Sequence, residues 1–271
     1  MDTSFDRDLL TKKSILEVDW DQDFVIFHDA NNKPQAYSSV PYHYGYVDAP
    51  RQSGHVNQPL LDSVHRNKIL DLADEPQTEG AIKLYADGNG QSQIKHLGAR
   101  SLNATWRWDV TLPELADGMV VALWSYGGPG YLDPDGYQFE FDIELMSGGV
   151  KGPRIEANFH DGMGPGINFG TLKTDWGGQR VLFEIEQSIS EGYCEIRANG
   201  AVVGRITEKA VKAKRRQWPT KPMFSVTNLW IASTAPTQSG KYLRAWAGTP
   251  DLEMDPRTMI VHGYEHNEIE S

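Results

Sequence analysis

Between positions 137 and 146 the chain reads Tyr-Gln-Phe-Glu-Phe-Asp-Ile-Glu-Leu-Met, which places Glu140, Asp142 and Glu144 at every second residue. On an extended strand, side chains at that spacing project from one face, and Phe139, Phe141, Ile143 and Leu145 take the other. Three carboxyls in line repel one another, so the arrangement has two readings. It is the solvated face of an edge strand, where acidic residues are common, or the floor of a cleft whose carboxyls cleave a glycosidic bond. The aromatic and β-branched flanks fit an interior strand better than an edge. Retaining hydrolysis needs two carboxyls about 5–5.5 Å apart, one to attack the anomeric carbon and one to protonate the leaving oxygen. Glu140 and Glu144 have Cα atoms roughly 13 Å apart on a flat strand. Their side chains must therefore lean together over a curved sheet. Asp142, between them, is placed to share a proton or hydrogen bond and so tune both neighbours.

A sheet must hold these residues, and the flanking sequence supplies one. Residues 103–111 alternate, with Ala104, Trp106, Trp108 and Val110 on one face and Asn103, Thr105, Arg107 and Asp109 on the other. Residues 119–124 form an apolar strand. Residues 154–160 alternate again, with Arg154, Glu156, Asn158 and His160 to one side; paired with the acidic strand, that polar face continues a cleft. Further strands are predicted at 15–20, 24–27, 81–86, 91–96, 180–188, 192–198, 201–206, 222–232 and 258–264. The dipeptide Asn199-Gly200 marks a hairpin. A short helix is predicted at 60–72, inside a polar insertion over 48–80. Many alternating strands and few helical patterns predict an all-β jelly-roll β-sandwich of two curved antiparallel sheets. It is expected to form one domain over 1–271, with its core at about 80–265 and an outer strand and long loops from residues 1–80.

With 271 residues the chain can bury a substantial core. A formal net charge of −11 disfavours non-specific nucleic-acid binding. There is 1 cysteine, so no internal disulfide forms; Cys194 has no His or Asp at a nucleophile spacing and is expected to be a buried thiol. No apolar run is long enough to span a membrane, and Met1-Asp2-Thr3-Ser4 does not begin a signal peptide in the chain as given. The glycines between 162 and 170 lack the Lys-Ser/Thr pair of a phosphate loop and suit a mobile cleft-rim loop. Lys209, Lys212, Lys214, Arg215 and Arg216 are a basic run, either a solvated loop or short helix or a contact for an acidic polymer. The aromatic-rich stretch from Tyr37 to Tyr46 is either a sugar platform or a set of loop anchors. His55 and His65 are not at a tight ligand spacing and are assigned no metal.

Glu140-x-Asp142-x-Glu144 resembles the signature of glycoside hydrolase family 16, the laminarinase and lichenase group, in its uninterrupted lichenase-type form. The order around it is similar too: an aromatic strand, an apolar strand, the glycine loop 127–130, the acidic strand, and later Pro222 leading to Asn228-Leu229-Trp230. The resemblance covers roughly residues 80–265. It implies a concanavalin A-like sandwich and an endo-acting retaining glycosidase with Glu140 as nucleophile, Glu144 as acid/base and Asp142 in support. It also implies a polysaccharide substrate, secretion, no cofactor for the chemistry, and a structural calcium away from the cleft whose ligands are not assigned. Asn158 resembles an asparagine that hydrogen-bonds near the catalytic residues. His160, Tyr137 and the tryptophans Trp106, Trp108, Trp124 and Trp230 are the other candidates for substrate binding, though His160 also reads as an ordinary half-exposed strand histidine and only some of the tryptophans can share a face. Where lichenase-type enzymes carry a tryptophan and an aspartate before the first glutamate, this chain has Gln138 and Phe139. Where the family often has a glutamate and an arginine, it has Trp106 and Trp108. These differences set the sugar subsites apart from those of the usual β-glucanases. A non-catalytic carbohydrate-binding sandwich, or a polysaccharide lyase recruiting Tyr137, His160, Asn158 and Arg154 on an acidic exopolysaccharide, are the alternatives.

Overall fold

A computed structural model describes residues 24–26, 42–47, 82–86, 91–127, 139–162, 165–232, 238–251 and 253–269. The expectations for 15–20, 60–72, Tyr37 and Tyr137 lie outside these residues. Fourteen strands are present among them: β1 (Phe24–Ile26), β2 (Tyr42–Val47), β3 (Ile82–Ala86), β4 (Gln91–Ser101), β5 (Asn103–Thr111), β6 (Met119–Gly127), β7 (Phe139–Met146), β8 (Arg154–His160), β9 (Ile167–Lys173), β10 (Arg180–Ser188), β11 (Tyr193–Ala198), β12 (Ala201–Thr207), β13 (Met223–Ile231) and β14 (Arg257–Glu268). Two helices accompany them, α1 (Glu208–Ala213) and α2 (Gln238–Ala247).

The strands form one continuous order, β1-β2-β4-β13-β6-β7-β8-β9-β12-β11-β10-β5-β14-β3. Every pairing is antiparallel except β1 with β2. The order doubles over where β9 meets β12 through the single pair Gly204↔Gly170. This gives a jelly-roll, concanavalin A-like sandwich: a front layer from β1 to β9 and a back layer from β12 to β3.

The main core lies between the layers. Phe141, Ile143 and Leu145 of β7 and Phe159 of β8 enter it from the front, and Trp106, Trp108, Phe183 and Ile196 enter from the back. Apolar burial on this scale is the principal stabilising term. The outer face of the back layer is a charged ladder, with Arg180 holding Asp109 and Arg197 bridging Glu184 and Glu186. The outer face of the front layer is different. It buries a second apolar cluster around Val120, Ala122, Trp124, Val226 and Trp230, covered by Leu243 and Ala247 of α2.

Two expectations change. The mobile loop assigned to 162–170 is shorter, because Ile167–Lys173 pairs with β8 as a strand. Residues 238–247, for which no element was expected, are helix α2. The basic run is in part a short helix, as one of its readings had it: α1, with Lys212 ion-paired to Glu208 and Arg216 donating to Asp161 at 2.7 Å. Among the described residues no helix is long and apolar enough to cross a membrane.

Candidate active site

The acidic strand β7 is interior, between β6 and β8, so the edge-strand reading of its carboxyls does not apply. Its apolar set faces the core, which turns Glu140, Asp142 and Glu144 to the outer face of the front layer. Register then assembles the site. Across β6 the three face Tyr126, Trp124 and Ala122; across β8 they face His160, Asn158 and Glu156. The polar face of β8 does continue that of β7.

Each carboxyl has a distinct setting. Glu144 accepts a hydrogen bond from Asn158 Nδ2 at 2.7 Å. Asn158 Oδ1 in turn accepts from Asn168 Nδ2 of β9 at 3.0 Å, so the Asn158 amide is oriented from behind. Asp142 Oδ2 lies 3.4 Å from His160 Nε2, while its buried Oδ1 has no hydrogen-bond partner among the described residues. Burial, followed by the neighbouring Glu140 and Glu144, pushes the Asp142 carboxyl well above the usual carboxylate range. Burial pushes Glu144 up to about 8; the Asn158 bond opposes this, and the charges of Glu156 and Glu140 add to it.

Glu156 behaves in the opposite way. Burial favours its neutral form, but hydrogen bonds from Arg154 and Trp246 and the charges of Arg154 and Lys151 outweigh it and hold the pKa below the ordinary value. Arg154 Nε donates to Glu156 Oε1 at 2.7 Å and Trp246 Nε1 to Oε2 at 2.9 Å. The rest of the Arg154 guanidinium is spent on the carbonyls of Gly148, Gly152 and Trp246. Arg154 is 1% exposed, so it does not serve as the uronate-neutralising group of a lyase.

The aromatic candidates divide by face. Trp106 and Trp108 are 0% and 1% exposed within the interlayer core. They are not substrate-binding residues: strand alternation grouped them correctly, but the face they share with Ala104 and Val110 is the inner one. Trp124 and Trp230 are on the carboxyl side, buried within the second apolar cluster, and Trp230 stacks on Trp246 with centroids 6.0 Å apart. Trp176 packs against the main core. Cys194 is buried as expected, and burial first of all pushes its thiol up.

Residues that sequence reasoning assigned no role in the site are Trp246, Tyr242 and Asn168. The first two are one turn apart on α2, and a helical i, i+4 repeat of Tyr242/Trp246 and Leu243/Ala247 was the available signal.

Glu140, Asp142 and His160 bring one ligand atom each within 4.8 Å of one another. Two carboxylates and an imidazole can chelate a divalent ion, and the set suits a first-row metal better than calcium, which takes six to eight oxygens. It is therefore not the separate calcium site that the family resemblance implied.

No protein-family model matches the sequence, and no curated protein sequence is similar to it. Solved structures are similar in fold. The catalytic domain of an endo-1,3-beta-glucanase (laminarinase) from Thermotoga petrophila RKU-1 superposes with TM-score 0.54 at 16% identity, covering 70% of this chain and 79% of that one. An endo-beta-1,3-glucanase from Pyrococcus furiosus gives TM-score 0.54 at 18% identity over 71% and 76% of the two chains. A beta-1,3-1,4-glucanase (lichenase) derived from a mouse hindgut metagenome gives 0.53 at 13% identity over 86% and 96%. The chain thus shares the fold of these laminarinase and lichenase structures.

Proposed function

We propose that the chain is an endo-acting, retaining glycoside hydrolase that cuts a polysaccharide by double displacement. The observation that carries this is the placement of Glu140, Asp142 and Glu144 on one face of an interior strand, with Glu144, hydrogen-bonded by Asn158, pushed up to about 8 by burial so that it holds a proton near neutral pH. Glu140 attacks the anomeric carbon as its bond to the leaving oxygen breaks, and Glu144 gives that oxygen its proton. Glu144, now ionised, then takes a proton from water, whose oxygen attacks the same carbon and releases Glu140. Asp142 and His160 support the nucleophile, and Asn158 orients the acid. Trp124 and Trp230, buried under α2, back the carboxyl-bearing strands from within the apolar cluster. The chemistry needs no cofactor.

The substrate class is a neutral or acidic polysaccharide met outside the cell. The solved structures of like fold are named as β-glucanases, but the sequence departs from the lichenase-type pattern at Gln138 and Phe139, which favours a different subsite pattern. The test is incubation with β-glucans, galactans and acidic bacterial exopolysaccharides, with mass and NMR analysis of the products. Internal cuts that first release the β-anomer from a β-linked polymer support the proposal. Unsaturated products would make the protein a lyase, and binding without new reducing ends would make it a carbohydrate-binding sandwich.

A further inference from the structure

Helix α2 places an aromatic side chain beside the acid/base that the catalytic steps leave without a task. Tyr242 is 65% exposed. It lies four positions before Trp246, so the two rings share one helix face. Trp246 fixes where that face looks, because its indole donates to Glu156, directly across β8 from Glu144. The same surroundings register on the phenol itself, whose pKa is raised by burial and then by the charges of Glu144 and Glu156. Leu243 and Ala247 anchor the neighbouring face in the apolar cluster of the front layer.

The helix is also held rigidly. The last carbonyls of a helix have no partner within it. In α2 those of Arg244, Ala245, Trp246 and Ala247 accept from Gly248 N at 2.9 Å, Val150 N at 3.0 Å, Arg154 Nη2 at 2.7 Å and Gly118 N at 2.9 Å. Gly149 has φ +76, and a Cβ there would overlap the Trp246 carbonyl. The β7–β8 turn is thus shaped to receive the helix end, and Tyr242 is presented on a fixed wall.

We propose that Tyr242 is the aromatic platform for the sugar ring bound on the leaving-group side of the cut. The side follows from Glu144, which protonates the leaving oxygen and so borders the sugar attached to it; to that extent the inference rests on the hydrolase reading. An exposed ring fixed beside a polar floor offers its π-face to the C–H face of a pyranose.

The experiment uses Tyr242→Ala, Tyr242→Phe and Tyr242→Trp in the full chain. In one arm, kcat/KM is measured on a hexasaccharide of the polymer that the wild type cleaves and on an aryl glycoside with the same glycone. Tyr242→Ala is expected to lose about tenfold more on the hexasaccharide than on the aryl glycoside, while Phe and Trp recover the hexasaccharide rate. Equal losses on the two substrates overturn the platform. In the second arm, hexasaccharides of β-1,3-glucan, mixed-linkage β-glucan and agar-type galactan are titrated calorimetrically into the Glu140→Gln variant. Tyr242→Ala is expected to weaken the tightest of them about tenfold, and unchanged affinity, or no binding to any, overturns the proposal. Lack of turnover by the wild type counts against the hydrolase reading alone, because binding still decides for or against Tyr242.

Discussion

Glu144 and Glu156 stand directly opposite one another on β7 and β8, and their surroundings drive them to opposite protonation states. Like charges at facing positions of an antiparallel pair are destabilising. The chain resolves the conflict by pinning Glu156 as a carboxylate with Arg154, Lys151 and Trp246, which leaves Glu144 as the member that keeps its proton.

The basic limb of the kcat/KM profile should therefore fall near pH 8, where Glu144 loses the proton it must deliver. Glu156→Gln removes a negative neighbour and leaves Arg154 uncompensated, and both changes favour ionised Glu144. The limb should move to lower pH in that variant. A limb that stays in place would show that Glu156 does not act on the acid.

Glu140→Gln should abolish turnover on the polymer while the protein remains folded, since an amide does not attack the anomeric carbon. Glu144→Gln should lose roughly 10²–10⁴-fold on the polymer. With an activated aryl leaving group it should still form the glycosyl-enzyme, and azide should restore turnover with retained configuration. Asp142→Asn should cost less than either. Near-wild-type activity of Glu140→Gln would place the nucleophile elsewhere.

Stability should depend on pH through the same group. Folded Glu144 keeps its proton up to about pH 8, whereas an unfolded glutamate releases it near 4.3. Between those values the folded state binds more protons, so the contribution of Glu144 to stability declines as pH rises through the window. Glu144→Gln removes that decline and can still accept from Asn158. Above pH 8 its Tm should exceed the wild type's by roughly 10 °C, and below pH 4 the two should converge. Parallel Tm curves across the whole range would contradict this.

Gly166 lies against the His160 ring, and a Cβ there would overlap it. Gly166→Ala should push the imidazole off Asp142 and cost about tenfold or more in kcat, since small misplacements in a catalytic array are expensive. Tm should change by only a few degrees, because His160 is on the open side of the sheet and not in the core. Wild-type kinetics in this variant would remove His160 from the supporting set.

The strands of the front layer were legible because period-two alternation survives in β7 and β8, and it also brought the polar face of β8 beside the carboxyls. Alternation assigns residues to a common face without saying which way that face points. This is why Trp106 and Trp108 read equally well as cleft or core until Arg107 and Asp109 were seen pairing with Glu184 and Arg180 on the outer ladder. Helix α2 was hidden by its brevity, and Asn168 by glycines that suggested a loop. Glu156 is held ionised first by Arg154, two positions away, and then by Trp246, 90 positions away, and no local pattern carries the second contact.

The place of β14 bears on how the molecule is made. β5 is flanked by β10 and β14, and Ser101 Oγ at its threshold lies 2.9 Å from His266 Nε2, 165 positions further on. Trp106 and Trp108 rest against His266 and Tyr264. Translation delivers β5 long before β14, so the nascent chain carries an open hydrogen-bonding edge with two tryptophans behind it for most of its synthesis. Such distant pairing slows folding and exposes the edge to other chains. Ribosome-bound chains stopped before Arg257 should therefore aggregate more readily than chains that include β14.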